Sequence, residues 1–275
     1  MAKGDEGIRQ AIYDELKGDL VAIAKSKYGN FFVQKLLNYG TKEQKDTVLK
    51  RFEGKIAELT RHKVANVVVN IAYNDVAKTN QQNRYLQEFF GAEFRICKEE
   101  ELKSAVEIAK KYPKKEGAIR RALAENCGIL ISKGCYNQSI VHTVLYNYMQ
   151  LLNYIISKQQ SSMDTTNEKD PPKEDKEMKE FMSKITAKED KEGKPALDLS
   201  SKVRTARAEF IAQLRDVCVH ILHSSDGARL SMNALWHGSA KDRKGNQQYL
   251  NQIQILGDIP PEKLFVLHNH KFYLF

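Results

Sequence analysis

Few groupings in this 275-residue chain could do covalent chemistry. His220 and His223 stand three apart in a stretch with helical periodicity and could share one face; His268 and His270 flank a single asparagine. Two imidazoles hold a metal only when further ligands complete the shell, and no His, Cys or carboxylate follows at a fitting spacing. Cys97, Cys127, Cys135 and Cys218 form no Cys-x-x-Cys pair, and no secretory leader precedes them. They read as reduced thiols of an intracellular protein, mostly in its core. There is no Gly-x-x-x-x-Gly-Lys-Ser/Thr loop to cradle phosphates, no Gly-x-Ser-x-Gly elbow and no His-Glu-x-x-His pair. No carboxylate pair stands out from the charge background. The reading is of a non-enzyme, with no cofactor, metal or small-molecule substrate expected. Trp236 and Phe210 are expected in the core.

What the chain does carry is charge. Lys and Arg number 44 against 35 Asp and Glu, a net charge of +9 and a pI of about 9.2. Such a balance suits a polyanion, either nucleic acid or an anionic membrane face, although net charge alone says nothing about clustering. No apolar run approaches the ~20 residues that cross a bilayer, and the N-terminal Met-Ala-Lys-Gly-Asp-Glu has no apolar targeting stretch. A soluble cytoplasmic or nuclear protein is expected.

The elements that position these side chains are helices. Glycine (15) and proline (6) are sparse, and apolar residues recur at i, i+3, i+4, i+7 almost everywhere. One stripe is Ile8, Ile12, Leu16 and Leu20; another is Val48, Phe52, Ile56 and Leu59. A third is Val144, Leu145, Tyr148, Leu151, Leu152 and Ile155, and a fourth Phe210, Leu214, Val217 and Ile221. Each predicts an amphipathic helix with one buried face. Asp5 is placed to cap the first helix and Thr41 the one after Gly40. Pro113 ends the helix carrying Leu102, Val106 and Ile108.

Residues 157–200 break the pattern. They hold three of the six prolines (Pro171, Pro172, Pro195), with 9 Lys against 11 Asp or Glu, a net of −2 that leaves +11 for the rest of the chain. So few large apolar side chains cannot offset the entropy of ordering. A flexible charged insert is expected, with a transient helix around Glu177 to Ile185.

The chain also resembles itself. Gly29-Asn-Phe-Phe-Val-Gln-Lys-Leu-Leu-Asn-Tyr-Gly40 matches Ala65-Asn-Val-Val-Val-Asn-Ile-Ala-Tyr-Asn-Asp75, with Asn66 36 residues after Asn30. A third copy runs from Asn137 to Tyr148, with Gln138 in Asn30's place three such periods on. A fourth is Gly227-Ala-Arg-Leu-Ser-Met-Asn-Ala-Leu-Trp-His-Gly238. Its two glycines have the same spacing as Gly29 and Gly40, and each second glycine precedes a polar, charged run. That is a helix stopped at glycine, then a capped new one. Helical units at a period near 36 make an α-solenoid, each burying its face against its neighbours.

Lys27-Tyr-Gly-Asn-Phe-Phe-Val-Gln-Lys35 resembles the base-reading helix of a Pumilio repeat. Arg61 to Asn66, Ala72 to Asp75, Asp226 to Arg229 and Leu235 to Lys244 resemble the divergent, nucleolar Puf-A subfamily, and the likeness covers most of residues 8–244. It implies an all-α, armadillo-type superhelix of Pumilio-like repeats over 6–156, the charged insert at 157–200, a further repeat at 201–244 and an atypical tail at 245–275. It also implies RNA as partner, or DNA, with little sequence preference; pre-ribosomal particles; a place in the nucleus and nucleolus; and a role in ribosome biogenesis or translational regulation, away from membranes.

Within that likeness each repeat reads one base with side chains on its second helix. The edge-reading pair sits four apart and points from one face, and the residue after the first member stacks. In the first copy the readers are Asn30 and Gln34 with Phe31 stacking, a set that by resemblance suits uracil. The plain alternative is Phe31 in the core and two ordinary surface amides. The second copy offers Asn66 and Asn70 around Val67, the third Gln138 and His142 around Ser139, and the fourth only Arg229 as a stacker, beside Ala228 and Met232. Weak base specificity follows, with affinity drawn from phosphate contacts. The phosphate candidates are Lys27, Lys35, Arg61, His62, Lys63, Lys133, Lys241, Arg243 and Lys244, with Arg229 also available. The likeness fails after Lys244; the apolar, uncapped stretch Ile259 to Phe275 is expected to be poorly ordered, as in a truncated or mis-spliced version, and its removal to improve solubility. An armadillo- or HEAT-like protein-binding adaptor remains the alternative function.

Overall fold

The computed structural model describes residues 6–96, 102–167 and 196–244. Asp5, Cys97, the Glu177–Ile185 segment and the 245–275 tail, with His268 and His270, lie outside the described residues. Those described form helices α1 (Glu6–Leu16), α2 (Leu20–Lys25), α3 (Gly29–Tyr39), α4 (Lys42–Phe52), α5 (Ile56–Thr60), α6 (Ala65–Ile71), α7 (Thr79–Gln87), α8 (Ala92–Ile96), α9 (Ala105–Lys111), α10 (Glu116–Ser132), α11 (Ser139–Asn167), α12 (Ala196–Leu214), α13 (Cys218–Ile221) and α14 (Ser225–His237). Residues 240–244 begin a further helix, and no strand occurs among the described residues. The fold is an all-α solenoid.

The period of 36 is visible as geometry. Helices α2–α4 make one three-helix unit and α5–α7 the next, with α5 beginning 36 residues after α2. A third unit, α8–α10, fills the interval the sequence comparison skips, since α8 begins 36 residues after α5. The C-terminal end of α10 then serves as first helix of a fourth unit completed by α11 and α12, and α13, α14 and the 240–244 turn open a fifth. The third unit escapes sequence reading because α9, Ala-Val-Glu-Ile-Ala-Lys-Lys, has neither the amide nor the doubled glycine.

Local chemistry sets these boundaries. The Thr41 hydroxyl accepts from Gln44 N–H, and the Gln44 side chain accepts from Thr41 N–H, a reciprocal capping box that starts α4. Ser239 and Asp242 repeat it after Gly238: Ser239 N–H donates to the Asp242 carboxylate at 3.0 Å, and Asp242 N–H to the Ser239 hydroxyl at 3.3 Å. The Ser239 hydroxyl bond and the Arg215 guanidinium hold the Asp242 carboxyl below its ordinary value. Pro113 does follow a helix end, opening a 3-10 turn, but Leu102 lies before α9 rather than on it.

The stripes are buried, with three differences. Val48, Phe52, Ile56 and Leu59 are core, as are Phe210, Leu214, Val217 and Ile221, yet each set spans two helices of a tight corner instead of one. The first stripe is not a buried face: Ile8 and Ile12 are exposed, Leu20 belongs to α2, and α1 docks through Tyr13. Trp236 is 69% exposed, whereas Phe210 packs edge-on to Tyr148 in the core. The insert is also shorter than its composition predicts, because α11 runs on through Asn167 and α12 begins at Ala196. Cys127, Cys135 and Cys218 are buried free thiols.

Candidate nucleic-acid interface

Of the second helices of successive units, α3, α6, α9, α11 and α14, all but α11 begin with a cap from the residues just before them. Gly29 N–H donates to the Ser26 hydroxyl and Gly227 N–H to the Ser224 hydroxyl, at 3.3 and 3.0 Å. In the second unit His62 does this work, its Nδ1 accepting from Val64 and Ala65 N–H, both at 3.2 Å. His62, expected as a phosphate cation, is thus a half-buried helix cap. The elbow explains the repeated glycine: a Cβ on Gly29 would sit 2.7 Å from Ile23 O, and one on Gly227 only 1.9 Å from Ile221 O. At these two elbows the missing side chain lets the second helix start this close to the end of the first, whereas the second unit carries Ala65 in the matching place.

The residue next in line faces inward. Asn30 is 5% exposed; its amide donates to Ser26 O (3.1 Å) and Lys27 O (2.7 Å), and its oxygen accepts from Gln34 at 2.7 Å. It ties the elbow down and has no free edge for a base. Gln138, in the matching place just before α11, is buried and donates to Thr60 O at 3.2 Å. His142 is fully buried between Ser224 Oγ and Tyr136 O, each 2.6 Å away, and burial holds its imidazole below the ordinary value. All three, expected as base readers, turn inward at elbows and junctions, where their polar atoms are hydrogen-bonded to neighbouring groups.

Asn70 stitches two units together: its oxygen accepts from Ser139 N–H at the start of α11 and from Asn74, both at 3.2 Å. Asn66 and Gln34 are half-buried. Arg61 donates to Asn126 Oδ1, which makes it partly an anchor. Lys133 and Arg61 both lie near Cys135, opposing the upward push that burial gives its thiol, so these two cations are brought together at the elbow before α11.

What faces water is a row. Phe31 (59% exposed) and Val67 (50%) occupy matching places on α3 and α6, Ser139 on α11 is half-buried, and Arg229 on α14 is exposed, 3.5 Å from Asp226. By position in its helix, Glu107 of α9 adds an acid to that row. Around Phe31 the first unit gathers a richer patch than its sequence announced: Tyr28 is 74% exposed with the Lys27 ammonium 5.3 Å from its ring, and Tyr39 is 61% exposed with Lys35 at 5.2 Å. Lys63 repeats Lys27 one period on and is exposed, as are Lys133, Lys241, Arg243 and Lys244. No described contact brings the last three to the α3 patch. Tyr28, Tyr39 and Trp236 are the residues sequence reading missed; each is marked only by lying one or two turns from an outward position.

The two histidines near α13 are taken up by rings, His220 stacked on Tyr136 at 5.3 Å and His223 edge-on to His142 at 4.9 Å. Among the described residues no group of three or more His, Cys, Asp or Glu could hold a metal. No described helix is long and apolar enough to cross a membrane.

The unit whose face is richest is also the one with a recognisable relative. Residues 19–51, which coincide with α2–α4, match the Pumilio-family RNA binding repeat. The chain superposes on human Puf-A with a TM-score of 0.64 at 26% identity, over 88% of its own length. In sequence and fold it is similar to Pumilio-homology proteins of the Puf-A type. It is similar to rat Pumilio homolog 3 (28% identity over 242 residues, 88% of this chain) and to Pumilio domain-containing protein 12 of Caenorhabditis elegans (28%, 87% of this chain). The chain spans only 30% of the rat relative and 25% of the nematode one, and 38% of the Puf-A chain. Human Puf-A has also been solved in complex with DNA, and that structure superposes with a TM-score of 0.62 at 26% identity. The capped elbow recurs in units one, two and five.

Proposed function

We propose that this protein binds single-stranded RNA along the outward face of α3, α6, α11 and α14, gripping phosphates first and reading bases weakly. The observation that carries this reading is the patch on the first unit. Tyr28, Phe31 and Tyr39 stand in water with lysines over two of the rings. A fold has no internal reason to expose three large rings on one face. Interleaved rings and cations are what a sequence-tolerant single-strand surface uses, stacking bases and neutralising phosphates together. The DNA complex of human Puf-A supports polyanion binding on this scaffold without choosing between RNA and DNA.

Base discrimination is expected at one or two nucleotides at most, through Phe31 with half-buried Gln34. The chain acts as a binding module and not as an enzyme, in ribosome biogenesis or translational regulation within the nucleolus; pre-ribosomal particles are the corresponding partner. The protein-adaptor alternative fits less well, since this row mixes its apolar residues with lysines.

The test is fluorescence anisotropy of a labelled mixed-sequence RNA at two salt concentrations. Binding that weakens steeply with salt, together with an equal affinity for several sequences, is the expected result. Failure to bind at low salt would remove RNA as the partner and leave the adaptor.

A further inference from the structure

A second surface lies at the other end of the row, where α12 runs beside α14. The two helices meet at Gly238, where a Cβ would be 3.4 Å from the Ile211 side chain. One turn before Ile211, the Arg207 guanidinium donates to Asn153 Oδ1 of α11 at 2.9 Å. Asn153 passes the contact on to Asn233 Oδ1 (3.1 Å), and Asn233 donates to Arg229 O (2.8 Å). A chain of neutral amides therefore fixes Arg207, so its charge is held in place but not cancelled.

Among the described residues no carboxylate is paired with it. Arg204, one turn earlier on α12, is exposed and has no carboxylate partner among the described residues. Glu209, two residues on and so roughly on the opposite side of α12, acts on Tyr148 instead. A titratable group beside Arg207 is His237 at the end of α14, whose imidazole is held below its ordinary value by burial and then by the Arg207 charge. Burial first, and then the like charge of Arg204, pull Arg207 below the ordinary guanidinium value. Next to His237 stands Trp236, 69% exposed and seven residues after Arg229, so the two share an outward face two turns apart.

We propose that Trp236 stacks on a nucleobase while Arg204 and Arg207 hold the adjoining phosphate, a subsite at the C-terminal end of α14 off the line of Phe31 and Val67. This rests on the nucleic-acid reading above and adds a place to it. An indole face is the largest stacking surface a side chain offers, and a planar guanidinium fork matches a phosphate with two donors. The site needs no particular base, which suits a scaffold whose edge readers have turned inward.

Trp236 is the single tryptophan of the chain, so its emission reports this place alone. A short single-stranded RNA is titrated into the full chain while RNA anisotropy and tryptophan emission are followed together. Emission should be quenched over the same range in which anisotropy rises, in the wild type and in Phe31→Ala alike. Trp236→Ala should weaken binding about tenfold. Arg204→Gln should lower the slope of log affinity against log salt by about 0.7. Both residues are exposed, and an unchanged urea midpoint will confirm that the fold is intact. RNA that binds without quenching, with Trp236→Ala equal to wild type, overturns the subsite and leaves the RNA reading standing. Equal quenching by polyphosphate, which has no bases, overturns the stacking. No RNA binding by the wild type overturns the RNA reading and this subsite together.

Discussion

Two glycine-to-alanine substitutions should move stability in opposite directions. At Gly227 a new Cβ would sit 1.9 Å from Ile221 O, 2.8 Å from Ile221 C and 2.9 Å from Ser224 Oγ. The first distance is roughly 1.5 Å short of van der Waals contact. Two of the three atoms are backbone, so no side chain can swing away, and the elbow between α13 and α14 must open. Overpacking of this kind costs about 1–3 kcal/mol, and here the upper part of that range applies because the Ser224 cap on Gly227 N–H is strained as well. Gly128 is the control. It lies inside α10, and a Cβ there would meet nothing within 4 Å. Alanine at that site should stabilise by about 0.5–1 kcal/mol, from helix propensity alone. Urea unfolding followed by far-ultraviolet circular dichroism reads both changes from the midpoint. A Gly227→Ala variant with a midpoint at or above that of wild type would refute the claim that a missing side chain sets the elbow.

Asn30→Ala should cost about 1 kcal/mol of stability, since it removes the side-chain bonds to Ser26 O and Lys27 O, while Ser26 O keeps the residue-30 backbone N–H. Phe31→Ala should leave the urea midpoint unchanged and weaken RNA binding about tenfold, whereas equal binding by this variant would remove stacking at α3. His142 is held neutral by burial, so its folded value is depressed below 6.5. The unfolded chain then binds the extra proton first, and stability should fall as pH drops below 6.5 and level off below the folded value; His142→Phe should flatten that limb of a thermal-melt pH series. Asp242 is also depressed from 3.8, so the stability from its cap and its Arg215 pair is present above that value and should fade as pH drops through the lower, folded one. Cys127, fully buried with its thiol pushed upward, should resist alkylation until the chain unfolds.

The helical class, the period and the helix stops at Gly40 and Gly238 were legible in the sequence because each rests on local chemistry. Thr41 caps α4 through neighbours within three residues, and Gly29 and Gly227 mark close approaches that only glycine permits. The third unit was not legible, because α9 keeps only the apolar positions Ala105, Ile108 and Ala109 of its core face. Side-chain direction was the harder part. Asn30 and Phe31 are adjacent, yet one turns into the elbow and the other out to water, and helical spacing places them only 100° apart. Gln138 and His142 were beyond sequence reading altogether, since their partners Thr60 and Ser224 are 78 and 82 residues away. The stripes of Val48 to Leu59 and Phe210 to Ile221 misled in a different way: two short helices meeting at a corner can bury the same residues that one long helix would.

Helix α11 has a consequence for how the molecule comes apart. Where Gly40 and Gly238 stop their helices, α11 carries Tyr148 in the matching place and continues to Asn167. At about 1.5 Å per residue its 29 residues make a rod of roughly 43 Å, against about 16 Å for the 11-residue α3. Ordinary solenoid units touch only the next in line and can melt from an end one at a time. This rod packs against α7, α9, α10, α12 and α14, members of every unit from the second to the fifth. Removing any one of them strips apolar surface from the same beam, so the loss is shared by the others. Units two to five are therefore expected to unfold as a single cooperative block, with coincident urea transitions by circular dichroism and tryptophan emission; separate transitions would refute it.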